Sequence, residues 1–140
     1  MIKSIDWRAA GTGAAVALVI LEPPVQIISA LKVDDSTGAE SYWWVVGAVA
    51  VLLSFAVGGW VAARRRPATP FLHGAVAAAL AFAAHLVVRT LVKVAMGDDA
   101  SLAWANTVLV GQIAISLGVL GAYVATRRPA PASGVERAAQ

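Results

Sequence analysis

Gly59-Trp60-Val61-Ala62-Ala63-Arg64-Arg65-Arg66-Pro67 is an apolar run that stops at arginines and a proline. Ala122-Tyr123-Val124-Ala125-Thr126-Arg127-Arg128-Pro129 repeats the pattern near the other end of the chain. Each reads as a membrane-spanning helix leaving the bilayer on its cytoplasmic side, because basic residues that flank a span stay in the cytoplasm. Four apolar stretches of this kind lie between clusters of charge, at 9–31, 43–63, 71–95 and 103–125. Each has about the 20 residues needed to cross roughly 30 Å of hydrocarbon. They are continuous runs without period-two alternation, which excludes a β-barrel. The fold class expected is therefore all-α: a polytopic membrane protein of four transmembrane helices.

The composition agrees. Of 140 residues, 59% are hydrophobic and only 14% are charged, and the mean hydropathy is +0.75. That is far more apolar than a soluble domain of this size needs for its core. The net charge of +3 does not point to nucleic acid, since the basic residues mark helix ends and no aromatics interleave with them on a soluble face. There is no cysteine, so disulfides and thiolate ligands are excluded.

Charge also sets the orientation. Lys3 and Arg8 precede the first span, Arg64–Arg66 follow the second, and Arg127 and Arg128 follow the fourth. The intervening loops are acidic, with Asp34, Asp35 and Glu40 in one and Asp98 and Asp99 in the other. Both termini are expected inside, in a bacterial inner membrane. Trp43, Trp44 and Trp104 open the second and fourth spans on the outer side, as an interfacial aromatic belt would. A cleavable signal peptide ending near Ile28-Ser29-Ala30 is disfavoured by Glu22, which sits where such a peptide stays apolar.

The echo of the arginine ends extends upstream. Ser29-Ala30-Leu31-Lys32-Val33 resembles Thr90-Leu91-Val92-Lys93-Val94, and an aspartate pair follows each. The chain reads as two tandem helical hairpins, 1–66 and 67–128, forming one domain over 1–128. A two-span unit repeated in tandem keeps its orientation, so the halves would be related about the membrane normal. The segment 129–140 is expected to be a disordered cytoplasmic tail, because it has too little apolar surface to fold alone.

Ionisable groups in hydrocarbon need a partner or a purpose. Counting 1.5 Å per residue from the span ends puts Glu22 about 2 Å, Gln112 about 3 Å and His85 about 4 Å outward of the midplane. Glu22 and Gln26 share a helix face, as do His85 and Arg89, and Gln112 and Ser116. A buried polar layer is expected, centred on Glu22 with Gln26, His85, Arg89 and Gln112, and with His85 or Arg89 as the partner of the carboxylate. Ser54 is the contribution of the second span. Two readings are open: hydrogen-bonded glue that sets helix register, or a carboxylate that exchanges protons or binds a cation. Pro23-Pro24 should kink the first span directly after Glu22. Gly58, Gly59, Gly74 and Gly118 are candidate helix-packing positions. Ser54-Gly58-Ala62 and Ala114-Gly118-Ala122 form small-xxx-small strings around them, and the alanine-rich third span suits a closely surrounded helix.

No nucleophile–base–acid set is visible, and His73 and His85 are too far apart on one helix to share a metal. No cofactor, metal site or catalytic residue is expected. Gly58-Gly59-Trp60-Val61-Ala62-Ala63-Arg64-Arg65-Arg66 followed by Pro70-Phe71-Leu72-His73-Gly74-Ala75 resembles a family of small bacterial four-span membrane proteins (YrzE-like). That resemblance implies the four-span fold and no activity; it draws attention to His73 and Gly74. The function expected is a non-enzymatic accessory or self-associating membrane protein, with a second copy or another membrane protein as partner. The alternative is a small proton- or cation-coupled transporter acting through Glu22.

Overall fold

The structure, a computed structural model, describes residues 5–30, 40–97 and 104–127. Asp34, Asp35, Asp98, Asp99, Lys3, Lys32, Arg128 and the segment 129–140 lie outside the described residues, whereas Glu40 is the first residue of a helix. Within them the chain is all-helical: α1 Trp7–Ala30, α2 Glu40–Arg65, α3 Pro70–Met96 and α4 Trp104–Thr126. All four are long and apolar enough to cross a membrane.

Local chemistry explains several ends. Asp6 caps α1: its Oδ1 accepts the amides of Arg8 at 2.9 Å and Ala9 at 3.2 Å, two of the donors that a helix start leaves orphaned. α2 carries Arg64 and Arg65 in its last turn, where cations complement the helix dipole. α3 begins at Pro70, a residue pre-organised for the first helical position. It ends at Gly97, whose φ of 76° is left-handed and whose amide returns to Lys93 and Val94.

Pro23 and Pro24, where a kink is expected, lie inside α1, and the helix runs on through both to Ala30. Leu21 before the prolines and Val25 after them both pack on the core cluster, so tertiary contacts hold the chain helical on either side.

Among the described residues every pair of helices touches except α1 and α4. The order around the bundle is α1, α2, α4, α3, with α2 and α3 meeting across the short diagonal. Each helix offers a glycine followed one turn later by an alanine, and these pairs interlock. A Cβ built on Gly13 would lie 2.5 Å from the Gly58 carbonyl oxygen and 2.8 Å from the Ala62 Cβ, and one on Gly58 would lie 2.6 Å from the Gly13 carbonyl oxygen. The α3–α4 seam uses the same contacts: a Cβ on Gly74 would lie 2.6 Å from the Gly118 carbonyl oxygen and 2.7 Å from the Ala122 Cβ. Gly59 also meets the Gly118 backbone, and Gly121 meets that of Ala56, which joins α2 to α4. In lipid such backbone approach is a principal source of helix association, because no hydrophobic driving force separates one apolar surface from another.

The core lies mostly in one half of the bundle; toward the other end Gly47 of α2 is also buried. Ala9, Ala10, Ala14, Ala17 and Leu21 are buried on α1, Phe55, Ala62 and Ala63 on α2, Ala77, Ala78 and Ala81 on α3, and Ala114 and Ala122 on α4. Past Leu21 on α1 and Ala81 on α3, no residue with a described environment is buried, and on α4 none is buried before Gly111. Where the glycines end, larger side chains take over. The Phe55 and Phe82 rings meet edge to face with centroids 6.5 Å apart, and Gly111 gives Phe82 room against α4.

Candidate functional site

At the boundary between the close-packed and open halves, Glu22 of α1 meets His85 of α3. His85 Nδ1 lies 2.9 Å from Glu22 Oε1, and Gln26 Nε2, one turn along α1, donates to Glu22 Oε2 at 3.3 Å. Both members of the pair are largely covered, with side-chain exposures of 17% for His85 and 21% for Glu22. Each group supplies the other with a hydrogen bond that hydrocarbon cannot. A cavity of about 70 Å³ adjoins the pair, lined among others by Leu21, Phe55, Phe82, His85, Arg89 and Asn106. It has room for a few waters, and His85 is the member of the pair in its wall.

The other expected members of the layer are placed differently. Gln26 is exposed apart from its bond to Glu22, and Arg89 is exposed at the rim of the cavity. Ser54 is fully buried but donates to the Val51 carbonyl in its own helix at 2.6 Å, so it needs nothing from the layer. Gln112 is a correction. It is exposed on the outer face of α4, and its side chain has no hydrogen-bond partner among the described residues. Its depth along the helix did not set its direction. Gly111, Ala114, Gly118, Gly121 and Ala122 form the buried face of α4, and Gln112 stands about 100° round the helix from Gly111. Asn106 and Thr107, which reach the cavity from α4, are polar residues that depth counting overlooked. Their only sequence signal is a polar pair in the first turn of an apolar span.

A second polar cluster lies at the glycine-rich end. The Asp6 carboxylate pairs with the Arg66 guanidinium, tying the start of α1 to the end of α2. The Asp6 amide donates to His73 Nε2 at 3.0 Å. His73 Nδ1 lies 2.9 Å from both the Thr69 carbonyl oxygen and Thr69 Oγ1. His73 is fully buried, and accepting at Nε2 requires that Nδ1 carry the proton. This neutral ring bolts α3 to α1. The hydrogen bond from Arg66, together with the amides of Ala9 and Arg8, holds the Asp6 carboxyl below its ordinary value of 3.8. The sequence marks this cluster only through a cap residue before α1 and a Thr–His pair four apart.

Gly58, Gly59, Gly74 and Gly118 all lie in the interhelical seams described above. No three His, Cys, Asp or Glu side chains come together among the described residues. The chain matches no family model, no curated protein and no solved structure.

Proposed function

We propose that this is a non-enzymatic integral membrane protein that works by lateral association, with a second copy of itself or with another membrane protein. The observation that carries this reading is Gln112. An amide in mid-span, on an outward face and without a side-chain partner among the described residues, finds no hydrogen bond in hydrocarbon. A neighbouring helix supplies one, and such interhelical bonds are worth about 0.6–2 kcal/mol. Val108, Leu109, Ile115 and Leu120 are exposed around it, which supplies an apolar surface for a neighbouring helix. The test is the mass of the particle purified in mild detergent. Wild type should carry at least a second chain, and Gln112→Leu should shift it toward the monomer. Two identical monomers would remove the reading.

Both termini on the cytoplasmic side of a bacterial inner membrane fit the arginine ends of α2 and α4. A tandem duplication fits the seams: Gly13 and Gly74 are 61 residues apart, and their partners Gly58 and Gly118 are 60 apart. The Trp60 and Tyr123 echo has an offset of 63, close to one turn out of step with these seams. The resemblance to the YrzE-like family rests on the 58–75 motif and adds no activity.

A second reading, a proton- or cation-coupled conduit, is favoured by the contact between Glu22 and His85 beside a cavity. Proton flux into vesicles that Glu22→Gln abolishes, with particle mass unchanged, would establish it; equal flux in both proteins would end it.

A further inference from the structure

Two hollows open between α2 and α4, the second of them bounded also by Pro67 and by Pro70 of α3. The first, about 180 Å³, has wholly apolar walls: Ala56, Val57 and Trp60 from α2, Gly121 and Val124 from α4. The second, about 280 Å³, begins one turn further toward the basic end and is lined by Ala63, Arg64, Pro67, Pro70, Ala125 and Thr126. Arg64 lines the second hollow and reaches back over Trp60 in the wall of the first. Its guanidinium lies 3.8 Å from the centre of the Trp60 ring, so a cation–π contact holds the charge at the head of the apolar hollow.

The surrounding charge has one sign. At this end the described residues include Arg8, Arg64, Arg65, Arg66 and Arg127, against the single carboxylate of Asp6. Asp6 is already paired with Arg66. The surplus is cationic, and nothing in the described chain neutralises it.

We infer that the α2–α4 seam binds an anionic phospholipid of the leaflet at the basic end, its acyl chain against Trp60 and Gly121 and its phosphate at Arg64. A lipid is the occupant that fits both hollows at once. It places an apolar chain parallel to the helices and a negative group at one end, in the order the seam presents them. Basic pockets between spans take anionic headgroups for the same reason. The inference needs the helices to span a membrane. It is independent of whether the chain associates through Gln112.

The experiment uses the full chain in phosphatidylcholine vesicles doped with lipid brominated on its acyl chains, either phosphatidylglycerol or phosphatidylcholine. Bromine quenches nearby tryptophan, and the share due to Trp60 is the difference between wild type and Trp60→Phe. Brominated phosphatidylglycerol should quench that share at about fivefold lower mole fraction than brominated phosphatidylcholine, the ratio one arginine contributes at a charged lipid surface. Arg64→Gln should bring the two lipids level, while Arg8→Gln, outside the seam, should leave the preference. Val124→Phe, which fills the hollow from an exposed position, should weaken quenching by both lipids. Equal quenching in wild type overturns the inference. So does an equal loss in Arg64→Gln and Arg8→Gln, which would mean diffuse attraction to a charged surface.

Discussion

The two ends of the bundle are built on different principles. At the arginine end, glycines let backbones touch and the core is almost all alanine. At the other end the helices keep long side chains between them, and past Leu21 and Ala81 α1 and α3 bury nothing further among the residues whose environment is described. The ionisable groups divide the same way. Asp6, Arg66 and His73 are hydrogen-bonded into a closed clasp across three helices. Glu22 and His85 meet at the edge of the core, with a cavity beside them and Arg89 at its rim. Close backbone packing at one end and a largely covered polar pair beside a cavity at the other is an arrangement in which one end holds the helices while the other carries the ionisable groups.

The largest effect should come from breaking the close-packed end. In Gly118→Leu the new side chain meets the Gly74 backbone and the Ala78 Cβ, each 2.5 Å from its first carbon. Overpacking of this kind costs about 1–3 kcal/mol or more, and backbone cannot yield as a flexible side chain can. Loss of the folded bundle, read by unfolding in denaturing detergent, is expected. A stable Gly118→Leu protein would mean that the two ends do not differ as described.

Glu22→Gln tests the open end. It keeps the shape and removes the charge, so the cost should be that of one interhelical hydrogen bond, about 0.6–2 kcal/mol. A loss as large as that of Gly118→Leu would place the pair within the structural core.

Gly11 sharpens the comparison from within the rigid end. A Cβ there meets nothing within 4 Å, and the residue lies in mid-helix. Gly11→Ala should therefore stabilise by about 0.4–1 kcal/mol through the unfolded chain. Destabilisation would show that this face of α1 is covered by something outside the chain.

The smallest effect concerns the clasp. The folded state holds the Asp6 carboxyl below its ordinary 3.8. The stabilisation it gives is thus fully present above that value and is lost as pH falls through the depressed one. Melting curves of wild type and Asp6→Asn should be separated at neutral pH and converge in acid below pH 3.8. Separation that persists in strong acid would mean that Asp6 acts through the fit of its side chain at the start of α1 and not through its charge.

Legibility in the sequence followed the same division. The four spans were readable within a few residues, because length and hydropathy set them and capping residues such as Pro70 mark their starts. The similar depths of Glu22 and His85 were readable from their counts along the spans. Directions round the helices were not, because three apolar faces of a membrane helix look alike in sequence. Gln112 shares the depth of the pair and points away from it, while Asn106 and Thr107 turn toward the cavity. His73 and Asp6 are 67 residues apart, and no local pattern announces that they meet.

By itself the sequence determined that four apolar helices form, roughly where they begin and end, and that the chain's basic charge gathers beside α2 and α4. Those properties follow from local composition, chain length and the cost of leaving backbone groups unpaired. Only the tertiary structure decided which glycines touch, which polar residues face one another, and where the core stops. Those depend on the rotation of each helix about its axis, which is set by backbone contact across the seams.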